Sequence, residues 1–196
     1  MLSYDGTVPP PNLERRALLA DAAISLLASA GAHGVTHRAV DQCAGLPAGT
    51  ASNYFPSREA LLIAAASRVG ELHYADMDAA ADGPGSTAER AQRLIAQSLW
   101  LAATTYRSRY LAIFELRLES LRRPALADAL TALQERSVAV TLGHHRDHAL
   151  DIPPSAAATM VRLYGGALFT LVTAPPAEVT RQAAGDLAAA IVRASL

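Results

Sequence analysis

Thr36, Arg38, Thr50, Ser52, Asn53, Tyr54 and Arg58 gather hydroxyls, a carboxamide, a phenol and two guanidinium groups within a short stretch of an otherwise apolar chain. Groups of these types exchange hydrogen bonds with phosphate oxygens and with the edges of bases. Ala48, Gly49 and Ala51, set among them, are small enough to let the backbone approach a large partner closely. A second constellation is His144-His145-x-x-His148 with Asp151. Residues 144, 148 and 151 fall on one helical face, and two imidazoles with a carboxylate suit Zn²⁺ or Fe²⁺. A polar helix end accounts for the same residues, because histidine is favoured beside the last carbonyls. No metal site and no cofactor are therefore assigned.

Elements must position these groups, and the punctuation of the chain lays them out. Residues 1–11 read as a disordered arm, with Pro9, Pro10 and Pro11 blocking any helix. Asn12 can cap a helix over 12–30, whose Leu19, Ala22, Ala23, Leu26 and Ala30 recur at helical spacing. Gly31 and Gly34 end it. Thr36 can cap a second, short helix with Ala39, Val40 and Cys43 as its apolar face, and Gly45 stops it. A third helix is expected over 47–54, with Pro47 in its first turn and Pro56 beyond it. Ser57 opens a fourth that runs to about 79.

Beyond the linker "DGPGS" at 82–86, Ser86 and Glu89 form a capping-box pattern before a helix over 87–105. Helices over 107–121, 124–149, 154–173 and 177–195 complete the series, divided by Pro124, "DIPPS" and Pro175-Pro176. In the 107–121 helix Leu111, Phe114, Leu118 and Leu121 share one face, and Glu115 and Arg117 suggest a surface ion-pair ladder with Arg122 and Arg123. No segment reads as a strand. The expectation is an all-α fold of about nine helices.

Composition agrees. Hydrophobic residues make up 51% of the 196, while aromatics are only 5%, so alanine and leucine carry the core. Both are strong helix formers. The net charge of −1 gives no global attraction to nucleic acid or to an anionic membrane. Cys43 is the single cysteine, which excludes an internal disulfide and a cysteine-rich metal site. No uninterrupted apolar run reaches the ~18 residues of a membrane span, and a cytoplasmic protein with no membrane partner is expected.

Two short helices joined by a glycine-containing turn, behind a longer helix, make a helix-turn-helix pattern whose second short helix lies in the major groove. Phe55 is expected to pack inward and anchor that helix. The text "ALLADAAISLLASAGAHGVTHRAVDQCAGLPAGTASNYFPSREALL" is specific within this class. Over residues 12–70 it resembles the DNA-binding domain of the TetR (tetracycline-repressor-like) family of bacterial transcriptional regulators. The shared run is an amphipathic helix and a glycine turn, then Thr-x-Arg-x-Val and Ala-Gly-Leu. A short helix ending in Tyr-Phe and the sequence Ser-Arg-Glu-x-Leu complete it. Ala51-Ser52 stands where many members carry Leu-Tyr, so no base preference is carried over.

The resemblance implies a ligand-responsive regulator, more specifically a repressor, that is not an enzyme. It would bind a pseudo-palindromic operator in double-stranded DNA as a dimer. The expected division is 1–11 arm, 12–56 helix-turn-helix domain, 57–82 connecting helix and 83–196 ligand-binding and dimerisation domain. Thr36, Arg38, Ala48, Gly49, Thr50, Ser52, Asn53, Tyr54 and Arg58 are the expected DNA contacts. Trp100, Tyr110, Phe114 and Tyr164 are the candidates for a pocket that receives a small-molecule effector. The apolar pair of helices over 154–195 would form the homodimer interface. Across 12–73, Arg15, Arg16, Arg38, Arg58 and Arg68 are balanced by Glu14, Asp21, Asp41, Glu59 and Glu71. That neutrality leaves open a protein–protein adaptor whose helix-turn-helix binds no DNA; a metal-dependent enzyme using the His144 region is the other alternative.

Overall fold

A computed structural model describes residues 13–79, 84–147, 149–150 and 152–195. The expected arm, the cap Asn12, residues 82 and 83 of the linker, His148 and Asp151 lie outside the described residues. Among those described there are nine α-helices, one 3₁₀ turn and no strand.

The first three helices form a compact head. Helix α1 (Leu13–Gly34) buries Leu19, Ala23, Ile24 and Leu27. Its helix is broken at Gly31, where φ is +67°, so Ala32–Gly34 form a separate last turn. Thr36 caps α2 (His37–Cys43) by accepting the Ala39 N–H at 3.1 Å. Helix α3 (Thr50–Tyr54) is shorter than the spacing suggests. Pro47, Ala48 and Gly49 are a turn before it, and Gly49 sits at φ +91°, a backbone state that disfavours side chains. Phe55 follows α3 and is 1% exposed beneath the Arg16 guanidinium, 4.5 Å from its ring centre.

Helix α4 (Arg58–Asp78), capped by Ser57, leads from the head into a bundle of α5 (Thr87–Ala103), α6 (Arg107–Ser120), α7 (Pro124–Asp147), α8 (Pro154–Thr173) and α9 (Arg181–Ser195). The Ser86–Glu89 capping box that opens α5 is present in both directions. Before α9 the 3₁₀ turn Pro176–Glu178 intervenes, and Thr180 caps the helix through the Ala183 N–H. The final helix thus starts at Arg181, later than expected. Helix α9 packs on α5 and α8, α4 on α7, and α1 on both α4 and α6. Helices α1 and α8 match a membrane span in length and mean hydropathy; one side of each packs against those neighbours, while Leu13, Leu18, Leu163 and Phe169 stay exposed.

Two faces differ from the sequence reading. In α6 the buried residues are Tyr110, Ala112, Ile113 and Leu116, whereas Leu118 and Leu121 are 59% and 80% exposed. Apolar and charged residues are interspersed around the helix, so spacing alone does not single out the buried stripe. In α2 Cys43 is exposed, leaving Val40 as the buried apolar side chain.

Candidate nucleic-acid interface and internal cavity

An acid inside the head sets the geometry of α3. Asp41 is 2% exposed, and its two carboxylate oxygens accept the N–H groups of Gly49 (2.8 Å) and Ala51 (2.7 Å). Those are orphan donors at the start of α3, so α2 caps α3 from the side and fixes the angle between them. The sequence reading missed Asp41. An acid on the first helix of a helix-turn-helix, eight residues before the turn glycine, is the signal that was available.

The expected contact residues divide into two groups. Thr36, Arg38, Ala48, Gly49, Ser52 and Asn53 are exposed around α2 and α3, and Thr50 and Tyr54 are half-buried beside them. The Thr50 hydroxyl donates to the Pro47 carbonyl at 2.6 Å and the Ser52 hydroxyl to Gly49 at 2.8 Å. Their protons are committed, and outward they offer acceptor lone pairs. Ala51 is fully buried and offers nothing outward.

Arg58 departs from the expectation of an outward phosphate clamp. Its Nε donates to the Val35 carbonyl at 2.9 Å, and Nη2 donates to the Ala32 carbonyl. Its remaining nitrogen lies 3.9 Å from Glu119. The guanidinium is held by carbonyls that the broken end of α1 leaves without helical partners.

Glu119 is itself gripped by two arginines of the turn that follows α6, Arg123 at 2.7 Å and Arg122 at 3.1 Å. The Arg123 hydrogen bond first, then that from Arg122, holds its carboxyl below the usual range. The expected surface ladder is therefore a buried-edge cluster that reaches the head. Glu115, one turn earlier, accepts the Ala32 N–H at 3.0 Å.

The bundle encloses a cavity of about 630 Å³, lined from α4, α5, α6, α7 and α8. Tyr110, Phe114 and Tyr164 line it as expected from the sequence. Trp100 does not: it faces α9, with the Arg181 guanidinium 4.8 Å over its ring. Its residue type suits a pocket, but its register on α5 places it on the other face. The sequence reading also missed His73, Tyr74 and Ser98, which add polar groups to the wall.

Three neutral pairs are held there. His73 Nδ1 and Tyr110 Oη lie 2.8 Å apart, Ser98 Oγ and Tyr164 Oη 2.8 Å, and Tyr74 Oη and Ser137 Oγ 3.0 Å. Desolvation lowers the His73 imidazole to about 4. The same cause lifts the Tyr164 phenol to about 12 and raises that of Tyr110 well above its ordinary value. His144 and His145 also line the cavity. Among the described residues, no three histidine, cysteine or carboxylate groups are placed to share a metal ion.

A helix-turn-helix head joined to a helical bundle with a largely apolar cavity defines a class, the transcriptional regulators that combine a DNA-binding head with a ligand-binding body. Residues 19–65 match the family described as bacterial regulatory proteins, tetR family, and residues 82–195 match the tetracyclin repressor-like C-terminal domain. The chain belongs to the tetR family of transcriptional regulators.

Solved structures agree. A member of the TetR family from Streptomyces coelicolor A3, SCO1917, is 27% identical with a TM-score of 0.67, covering 91% of this chain and 98% of that one. The multidrug binding protein EbrR, complexed with ethidium, is 26% identical with a TM-score of 0.66, covering 92% and 99%. A transcriptional regulator from Rhodococcus sp. Rha1 shares the fold at a TM-score of 0.75 and 15% identity, covering 92% and 95%. No curated protein sequence matches the chain.

Proposed function

We propose that this chain is a non-enzymatic, ligand-responsive repressor whose dimer binds an inverted repeat and is released by a small molecule held in the cavity. The observation that carries the proposal is the double duty of α6. Tyr110, Phe114 and Arg117 line the cavity, while Glu115 and Glu119 of the same helix hold the end of α1 and Arg58. A ligand that shifts α6 therefore shifts the carbonyl edge at residues 32–35, directly ahead of the reading helices. Release then follows from the ligand's differential affinity for the two arrangements of the heads. EbrR, a relative solved with proflavin and with ethidium, supports a small-molecule role for this cavity.

In this reading Thr36, Arg38, Ala48, Gly49, Thr50, Ser52, Asn53 and Tyr54 face DNA, with α3 in the major groove. Arg58 acts from behind, by fixing the loop that carries Thr36. Residues 12–56 are the reading head, 57–82 the connector and 83–196 the body. The dimer forms through 154–195. Leu163, Gly166 and Phe169 share an exposed face of α8, with the two large side chains 39% and 51% exposed, which favours this surface.

Selection from randomised duplex DNA near physiological salt tests the reading. An inverted repeat is the expected product. Recovery of no motif from folded, dimeric protein would replace it with the adaptor reading.

A further inference from the structure

We propose that the cavity selects uncharged aromatic molecules bearing a hydrogen-bonding oxygen, such as a phenol or an aromatic ketone, and discriminates against cations. This inference rests on the reading of the cavity as the ligand site. Its basis is the way charge is distributed over the wall.

The centre of the wall is aromatic. His73 is ringed by Tyr74, Tyr110 and Tyr164, with ring centres 5.9–6.0 Å from it. Phe114 lines the cavity as well, set edge-on to Phe169 at 5.0 Å. Flat rings bury large area and prefer offset or edge-on partners, so this cluster favours an aromatic guest. The volume suits a drug-sized molecule.

The polar groups in this centre are neutral. The phenols, the Ser98 and Ser137 hydroxyls and the imidazole can each donate or accept. They complement a hydroxyl or carbonyl oxygen and supply no counter-charge.

Among the described residues Asp76 is the one carboxylate on the wall, and the Arg109 guanidinium already binds it. That guanidinium also lies 4.2 Å over the Tyr106 ring. A cation entering here would leave water with no uncommitted carboxylate among the described residues to receive it, and burying a charge without a partner is costly. The other ionisable groups on the wall are Arg117, Arg162, His144 and His145, which carry either no charge or the wrong sign for a cation. Arg117 and Arg162 are exposed, where a contact with an anion is worth little.

The test is direct binding of three fluorescent probes to the full chain without DNA. They are prodan, a neutral naphthyl ketone; ethidium, a cation; and anilinonaphthalene sulfonate, an anion. Prodan is expected to bind at least about tenfold more tightly than either ion. Tyr164→Phe should weaken prodan by about two- to tenfold, through loss of one hydrogen bond.

Arg109→Gln uncovers the Asp76 carboxylate and should raise ethidium affinity. The double variant Asp76→Asn, Arg109→Gln should abolish that gain. Equal or tighter binding of ethidium or of the sulfonate to the unaltered chain overturns the proposal. So does an Arg109→Gln protein that folds and gains nothing for ethidium. Binding of no probe to folded protein overturns the ligand-site reading itself.

Discussion

Glu115 Oε1 lies 3.0 Å from the backbone nitrogen of Ala32, joining two residues 83 positions apart in the chain. The contact exists because Gly31 leaves the helical path at φ +67° and turns the Ala32 N–H toward α6. A Cβ on Gly31 would stand 3.0 Å from the same carboxylate oxygen. The break, the glycine and the acid therefore form one joint between head and body.

Removing the acid should be felt in stability. Glu115→Ala is expected to cost about 1–3 kcal/mol by leaving a partly buried N–H without its charged acceptor. Glu115→Gln, which keeps an acceptor oxygen, should cost less than half of that. Urea denaturation at neutral pH measures both. Equal midpoints for the alanine variant and the unaltered chain would show that this bond contributes nothing net.

Asp41 serves the head in the same manner, over a shorter reach. Asp41→Ala removes the acceptor for two donors at the start of α3 and should destabilise the head by about 2–4 kcal/mol. Asp41→Asn retains one acceptor and should fall between. Because α3 loses its fixed angle, sequence-specific DNA binding should fail in the alanine variant at temperatures where circular dichroism still reports a folded bundle.

Salt dependence should separate the arginines. With a near-neutral head, the slope of log K against log salt should imply fewer than about ten ions released per dimer. Arg38→Ala should lower that slope by about one ion per subunit. Arg58→Ala should leave the slope unchanged while lowering thermal stability, because its guanidinium serves the carbonyls of Ala32 and Val35. A fall in slope for Arg58 would place that side chain on phosphate after all.

His73 predicts a pH dependence of stability with a defined sign. Desolvation holds the folded imidazole at about 4 against its ordinary 6.5; Asp76 raises it and Arg109 lowers it to lesser degrees. Between those values the unfolded chain binds the extra proton. The contribution of this group is therefore complete above pH 6.5, declines as pH falls toward 4, and is flat below. The full loss is about 3 kcal/mol. His73→Gln should lack this component, and the difference between the two stability curves isolates it from the carboxylates. Parallel curves from pH 7 to pH 4 would remove His73 as the cause.

The parts legible in the sequence were those encoded locally. Thr36, Ser57 and Ser86 cap helices because each bonds a residue three positions away, within reach of pattern reading. Phe55 was legible as an anchor because a large aromatic beside the polar reading helix has nowhere to go but inward. Long-range partners were not legible. Nothing near Arg58 says that it will bond carbonyls 23 and 26 residues earlier, and nothing near Glu115 points to Ala32. Trp100 shows the limit of residue type as a guide: three of four aromatic candidates face the cavity, and the fourth is turned away by its register on α5.

The Arg58–Glu119 and Ala32–Glu115 contacts also bear on modularity. A head that ends in loose linkers can be transplanted between relatives, and its specificity travels with it. Here the reading helices are indexed to the body by acids at 115 and 119, which lie far outside the helix-turn-helix. Chimeras that exchange residues 13–56 alone would pair a foreign carbonyl edge with these acids and should bind DNA more weakly. Exchanges that carry the α6 acids and Arg58 with the head should keep both the operator preference and the response to ligand.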